Sequence, residues 1–423
     1  MKSKSKPRSS LMARSAAFAD PFWDEALSAG VHGLALSGTG MGARVTAAGQ
    51  ELLNMSSYSY LGLDEEPAII TEAGRQLENT GVLNSSLSRV RVRLKALEDA
   101  EERLSSLFGA DVGTVTSCAA GVWAMLPLIA SGLLTDGVRP VVVFDRFAHF
   151  CLQSIRGLCS LETEVKTIGH NNMERLEDIC KTNAAVVYVG DSVYSTGGTT
   201  APMEKLMELQ DRYGLYLFLD EAHSTSVVGE KGRGLALDAM GDINSRTILV
   251  TSLNKGFGAS GGAIVFGPSS DRSRRERALR NGGPFMWSQR INTAGLGAIS
   301  ASCELHASPK LPVLQARLNA VIGRFDALYP LDSANPLSPV RFIPVGDERK
   351  AIRLSEVLMG LGYYVEPDFF PVVPWKEAGL RIRMRANMTM AEIEGFVEAL
   401  RRVVSPVLPG PDANDQPMEI DRK

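Results

Sequence analysis

Residues 215–261 read LYLFLDEAHSTSVVGEKGRGLALDAMGDINSRTILVTSLNKGFGASG. Two short apolar runs, Leu215 to Leu219 and Thr247 to Val250, each end in a cluster of polar and small residues. The first delivers Asp220, Glu221 and His223; the second delivers Thr251, Ser252 and Lys255. Parallel strands buried on both faces read as continuous apolar runs, and open α/β sheets bind ligands beyond the carboxyl ends of their strands. Both clusters therefore fall where a ligand sits. Asp220 and Lys255, 35 positions apart and each just past a strand, point to a pyridoxal phosphate site. The reason is chemical: a lysine forms a Schiff base with the cofactor's aldehyde, while a carboxylate pairs with the pyridinium nitrogen and keeps the ring an electron sink.

Outward from this stretch the same punctuation repeats. VVVFDRFAHF, residues 141–150, puts Asp145 and His149 just beyond an apolar run. A lone histidine is more often structural than functional, but this one falls at the level of the other clusters. AVVYVGDSVYSTGGTTAP, residues 185–202, delivers Asp191, Tyr194 and Ser195, with Gly197 and Gly198 making the turn. In VGTVTSCAAGVWAMLPLIASGLL, residues 112–134, a strand meets a buried helix through small residues. The turn Ser117, Cys118, Ala119, Ala120, Gly121 either offers free backbone N–H groups to a phosphate or serves close helix packing. Helices are predicted at 67–78, at 94–108 with Gly109 as its C-cap, and at 203–213. Strands alternating with helices at this spacing indicate a parallel sheet with right-handed crossovers.

At the margins the pattern is less regular. VTAAGQELLNMSSYSYLGL, residues 45–63, reads as a strand, a Gly turn and a loop in which Tyr58, Tyr60 and Gly62 serve packing and the turn. In NSSLSRVRVR, residues 84–93, Arg89, Arg91 and Arg93 alternate with apolar side chains at a strand-like period of two. They either meet an anionic substrate tail or belong to an exposed edge strand or a solvated helix start. Ser288 lies at a loop-to-helix junction, and a long helix is predicted from about Ala301. From about Pro339 to Val403 the order is strand, helix, strand, Pro-rich loop, strand, helix, a compact α+β unit. On its last strand Arg381 and Arg383 alternate with Leu380 and Ile382, and one of the two arginines is expected to clamp a carboxylate in bidentate fashion.

The chain divides on this reading into a basic tail (1–19), an N-terminal segment (20–60) beginning with a helix from about Asp20, a large cofactor domain (61–300), a small C-terminal α+β domain (301–404) and a Pro- and Asp-rich disordered tail (405–423). A formal net charge of −3 over 423 residues shows no bulk basic excess, which argues against a nucleic-acid binder. The five cysteines are an odd number without a CxxC pair, and the five histidines form no HExxH motif. They predict reduced thiols, a cytoplasmic location and no metal. No run reaches the roughly 18 apolar residues of a membrane span, and the N-terminus lacks a secretory apolar core.

Taken together, DEAHSTSVVGEKGRG, TSLNKGFGASGG and VYSTGGTTAP resemble the α-oxoamine synthases among the fold-type I pyridoxal phosphate enzymes, over roughly Met55 to Leu400. FAHF, HNN, DSVYSTGGTTAP, VGDER and RIRMRANMTMAEI look most like the quorum-sensing aminoketone autoinducer synthases of that family. The resemblance implies an α/β fold, with a large domain built on a mainly parallel seven-stranded sheet and a smaller α+β domain. It implies a homodimer with the active site at the subunit interface.

It also implies roles. Lys255 is the Schiff-base lysine and Asp220 the partner of the pyridinium nitrogen of pyridoxal 5′-phosphate. His223 bonds the cofactor's phenolic oxygen with Ser195 beside it, and His149 stacks on the ring. Ser252 and the backbone of Cys118 and Ala119 hold the phosphate, Ser288 reaches the neighbouring subunit's phosphate, and Arg381 binds the substrate carboxylate. Two places depart from the family pattern. Leu94 stands where a histidine usually precedes the Leu97–Glu98 pair, and Met388 stands at the histidine of the family's Ser-Ala-Ala-His-Thr. Both lie where substrate specificity is expected.

The function implied is a decarboxylative condensation of an amino acid, or S-adenosylmethionine, with an acyl-CoA or acyl-carrier thioester to give an α-aminoketone. An aminotransferase on the same fold is the rival enzyme. A silent cofactor-binding regulator is the third reading, opposed by the presence of Lys255, Asp220, His149 and His223 together.

Overall fold

A computed structural model describes residues 10–36, 42–47 and 49–404. Its centre is a seven-stranded sheet in the order Asp111–Val115, Gly262–Gly267, Thr247–Ser252, Tyr216–Asp220, Val186–Asp191, Val141–Asp145 and Val165–Ile168. Gly262–Gly267 runs antiparallel to both neighbours and every other pairing is parallel. Six of the strands are buried at every position, apart from half-buried Tyr216 at the start of one. Helices therefore cover both faces, as the unbroken apolar runs require.

Two hydrophobic cores flank the sheet. One holds Tyr188, Leu217, Leu219 and Leu249 and continues into the C-terminal region. The other holds Val142, Val187, Phe218, Val250 and the helix Cys118–Ala130. Alternate residues of one strand thus enter opposite cores, the two-residue period of a pleated strand. This fixes which side chains leave the strand ends towards the site.

The helix Lys95–Phe108 ends at Gly109, whose φ of 66° is the left-handed C-cap expected there. Ser117 caps the helix Cys118–Ala130 by accepting from the Ala120 N–H. The C-terminal region follows the predicted order, with Val340–Gly346, Ala378–Arg383 and Glu366–Asp368 in a second sheet. Tyr363–Tyr364 pairs with Gln50–Asn54 instead, tying the N-terminal hairpin to this region.

Three expectations need correction. The first helix spans Leu11–Ser28 rather than starting near Asp20, so it occupies residues 11–19 of the expected tail. Its aromatic side chains explain this: Phe18 and Phe22 pack on Phe370, Trp375 and Phe369, anchoring the helix. Residues 1–9 and the expected tail at 405–423 lie outside the described residues. The segment 84–93 forms no strand, because Arg89 is drawn inwards to Glu101 at 2.7 Å and over the Phe285 ring at 4.0 Å. The long helix from Ala301 is two helices, Thr293–His306 and Lys310–Leu328, the first crossing the boundary expected at 300.

His306 closes the first of these helices in full burial. Its Nε2 meets Ser226 Oγ at 2.7 Å and its ring stacks on Phe257, two residues from Lys255. Burial depresses His306 from 6.5 to about 4, so the folded chain refuses a proton that the unfolded chain accepts. Its contribution is whole above pH 6.5 and is lost as pH falls towards 4, about 3 kcal/mol in all. Urea unfolding of His306→Asn is expected to show a shallower loss of stability between pH 6.5 and 4 than the parent. Equal slopes would remove His306 from this role.

Candidate active site

The neighbouring parallel strands Tyr216–Asp220 and Thr247–Ser252 end at the same edge, and the loops leaving them bring Lys255 back beside His223. Lys255 Nζ lies 2.8 Å from His223 Nε2, and His223 Nδ1 lies 2.5 Å from Tyr60 Oη. Burial holds the Tyr60 hydroxyl well above its usual range, so it keeps its proton. Burial, reinforced by Lys255, holds His223 well below 6.5 and therefore neutral. Its two ring nitrogens link the Tyr60 hydroxyl to the Lys255 amine. Burial pulls the Lys255 pKa down from its ordinary value. A lowered amine pKa favours Schiff-base formation.

Asp220 forms the floor of the site. Its Oδ1 accepts from the Ala222 N–H at 2.9 Å, and its Oδ2 faces Cys118 Sγ at 3.5 Å and Cys151 Sγ at 3.6 Å. His149 begins a short helix, with Nδ1 3.0 Å from Cys151 Sγ and its backbone N–H donating to Asp191 Oδ2 at 3.0 Å. The bond to Cys151 raises the His149 pKa. His149, Cys151 and Asp220 present donor atoms within 4.8 Å of one another, a proximity that the scattered histidines and cysteines of the sequence did not announce.

At the other side of the cleft, Arg381 and Arg383 sit on one face of their strand, not one in and one out. Arg381 Nη2 is 2.9 Å from Asp368 and 3.3 Å from Glu366; its Nη1 donates to the Ser195 carbonyl at 3.4 Å. Arg383 Nη1 is 2.7 Å from Glu366, and its guanidinium lies 4.0 Å above the Tyr58 ring. The same ring lies 5.2 Å from Lys255 Nζ. Arg381 Nε and Arg383 Nε are buried without a partner.

The structure thus brings Lys255, His223, Asp220, His149 and Cys118 together and carries Arg381 to Ser195. Ser252 Oγ bonds the Asn254 side chain, and Ser288 Oγ turns back to the Pro284 carbonyl at 2.5 Å. Tyr60 and Tyr58, read from sequence as packing, are contact residues of His223, Lys255 and Arg383. Their nearness to a Gly turn was the only sequence signal. Asp191 was read as a strand-end residue without a role, whereas Cys151, Glu366 and Asp368 were missed; Cys151 also faces the distant Asp220, and the two acids meet arginines on another strand.

Residues 50–400 match the model of the family described as aminotransferase class I and II. The chain belongs to that family. It is 28% identical over 387 residues to 8-amino-7-oxononanoate synthase from Chlorobaculum parvum, covering 87% of this chain and 94% of that protein. It is 29% identical over 356 residues to a putative 8-amino-7-oxononanoate synthase from Magnetococcus marinus, covering 81% and 86% of the two chains. Its fold is similar to serine palmitoyltransferase from S. paucimobilis with bound PLP, at a TM-score of 0.80 and 20% identity, covering 94% of this chain and 100% of that one. Pyridoxal 5′-phosphate is the cofactor that this family and the PLP-bound neighbour indicate.

The residues present fit this cofactor. A carboxylate stands at the floor and a buried amine of lowered pKa stands at the wall. A Cβ on Gly262 would meet the Cys118 backbone N at 2.5 Å and the Thr251 carbonyl at 2.8 Å, so glycine is what lets the N-terminus of helix Cys118–Ala130 approach the strand end carrying Ser252. That helix start is a ready anion cradle. Because a charge-assisted hydrogen bond contributes about 1.5–3 kcal/mol, Asp220→Asn is expected to weaken cofactor affinity at least tenfold in fluorescence titration of the stripped protein. Unchanged affinity would deny Asp220 its place on the ring nitrogen.

Proposed function

We propose that the chain condenses an amino acid with an acyl thioester, with loss of carbon dioxide, to give an α-aminoketone. The observation that carries this reading is the hydrogen-bonded Lys255–His223–Tyr60 chain, joined through the Tyr58 ring to the paired arginines Arg381 and Arg383. The supporting likeness is to synthases of this reaction type over most of the chain.

When bound, pyridoxal 5′-phosphate supplies an aldehyde that joins an amine and a ring that accepts the electron pair released at the neighbouring carbon. Asp220 holds the proton on the ring nitrogen. Cys118 and Ala119 offer backbone N–H groups to the phosphate, with Ser252 at the adjoining strand end and Ser288 for the site of a second subunit. His223 would bond the phenolic oxygen, with Ser195 beside it, and His149 would stack on the ring. Arg381 takes the substrate carboxylate. Lys255, once freed, removes the Cα proton and returns it after decarboxylation. His149 donates a hydrogen bond to the thioester oxygen as charge develops there. The amine partner is an amino acid or S-adenosylmethionine, and the acyl donor is a CoA or carrier-protein thioester.

Purified protein given amino acids and acyl thioesters in pairs is expected to release free thiol and carbon dioxide only when both substrates are present. An aminotransferase would instead yield an oxo acid without thiol release, and that result would overturn the proposal. Arg381→Lys keeps the charge but loses the planar fork. It is expected to raise KM for the amino acid about tenfold or more, leaving KM for the thioester within a factor of about two. Equal effects on both substrates would move the carboxylate site elsewhere.

A further inference from the structure

Asp145 ends its strand fully buried, and its carboxylate joins neighbouring strand-end loops. Oδ1 accepts the Phe147 N–H at 2.8 Å and lies 3.1 Å from His170 Nδ1; Oδ2 accepts the Asn171 N–H at 2.8 Å. On the far side of the imidazole, His170 Nε2 lies 2.9 Å from Thr199 Oγ1, and Asn171 Nδ2 donates to the Thr200 carbonyl at 2.9 Å. Phe147 stacks on the His170 ring with centroids 4.7 Å apart, and Tyr194 meets it edge-on at 4.5 Å.

These bonds end on either side of the active site. The loop held at Phe147 carries His149 two residues on. The loop held at Thr199 and Thr200 folds back on itself, Tyr194 N–H donating to the Thr199 carbonyl at 2.8 Å, and carries Ser195, whose carbonyl receives Arg381. With Nδ1–H given to the buried carboxylate, Nε2 is left as an acceptor for a hydrogen bond that the Thr199 hydroxyl donates. A single tautomer therefore satisfies both ends, which fixes the ring and the spacing between the loops.

We propose that Asp145, His170 and Thr199 form a positioning relay that sets His149 against the cofactor ring and Ser195 against Arg381. None of the three touches the reacting atoms. This rests on the roles of His149 and Ser195 proposed above. Losing the His170–Thr199 bond lets the Ser195 loop move relative to His149, so amino-acid binding and the asymmetry of the bound cofactor change together.

The test is Thr199→Val, which is nearly isosteric and removes only the hydroxyl, read against Thr199→Ser, which restores it. His170→Phe is a second variant that keeps the ring stack on Phe147 and breaks both hydrogen bonds. Thr199→Val is expected to weaken the visible circular-dichroism band of the holoenzyme's cofactor and to raise KM for the amino acid about fivefold, the typical worth of one hydrogen bond. Thr199→Ser stays within about twofold of the parent, and His170→Phe exceeds the valine variant. A parental band and KM in both Thr199→Val and His170→Phe would overturn the relay, as would a fall in melting temperature alone. If the parent itself lacks the band or the amino-acid dependence, the proposed roles of His149 and Ser195 fail instead, which separates the two outcomes.

Discussion

A half-buried lysine amine whose pKa desolvation lowers is the constraint on which the rest of this structure depends. An exposed lysine is protonated and holds no lone pair for a carbonyl. At Lys255 burial lowers the pKa, and the amine ends a hydrogen-bonded chain that runs from Tyr60 through His223. The arrangement draws on distant parts of the chain. Tyr60 comes from the N-terminal segment, His223 and Lys255 follow adjacent strands, and the Tyr58 ring links Lys255 to Arg383 of the C-terminal sheet. The parallel sheet makes this possible by ending its strands at one edge.

The paired arginines of the C-terminal sheet follow another rule, charge balance. Arg381 and Arg383 would repel each other if left alone in a buried setting. Glu366 lies against both and Asp368 against Arg381, and the two arginines hold Glu366 below its ordinary range against the opposing effect of burial. Burial raises Asp368 to about 6, so its charge is the less secure of the two. Under the proposed role of Arg381, a substrate carboxylate would meet arginines already oriented by acids and compete with those acids for the donors. That favours selectivity over raw affinity, because desolvated ion pairs contribute little net stability while fixing geometry.

The sheet was legible because its strands are apolar at nearly every position and end in polar clusters, a pattern set by burial on both faces. Lys255, Asp220, His223 and His149 followed because each lies within a few residues of a strand end. The roles, including that of Arg381, came from the resemblance and stand as proposals. What escaped was set by contacts between distant segments. Arg89 looked like one of three alternating arginines, yet Glu101 and Phe285 draw it into the fold. Tyr60 looked like core packing until His223 was placed beside it. The N-terminal helix was set too late because its start is decided by aromatic contacts with residues 369–375, which local sequence does not contain.

The proposed site requires that the Lys255 amine, and no other, carries the cofactor. Borohydride reduction of the holoenzyme fixes the cofactor to the amine that holds it, and peptide mapping by mass spectrometry then locates the label. The account predicts a phosphopyridoxyl group on the peptide containing Lys255 and on no other lysine peptide. A stoichiometric label on a different lysine, with Lys255 unmodified, would contradict it.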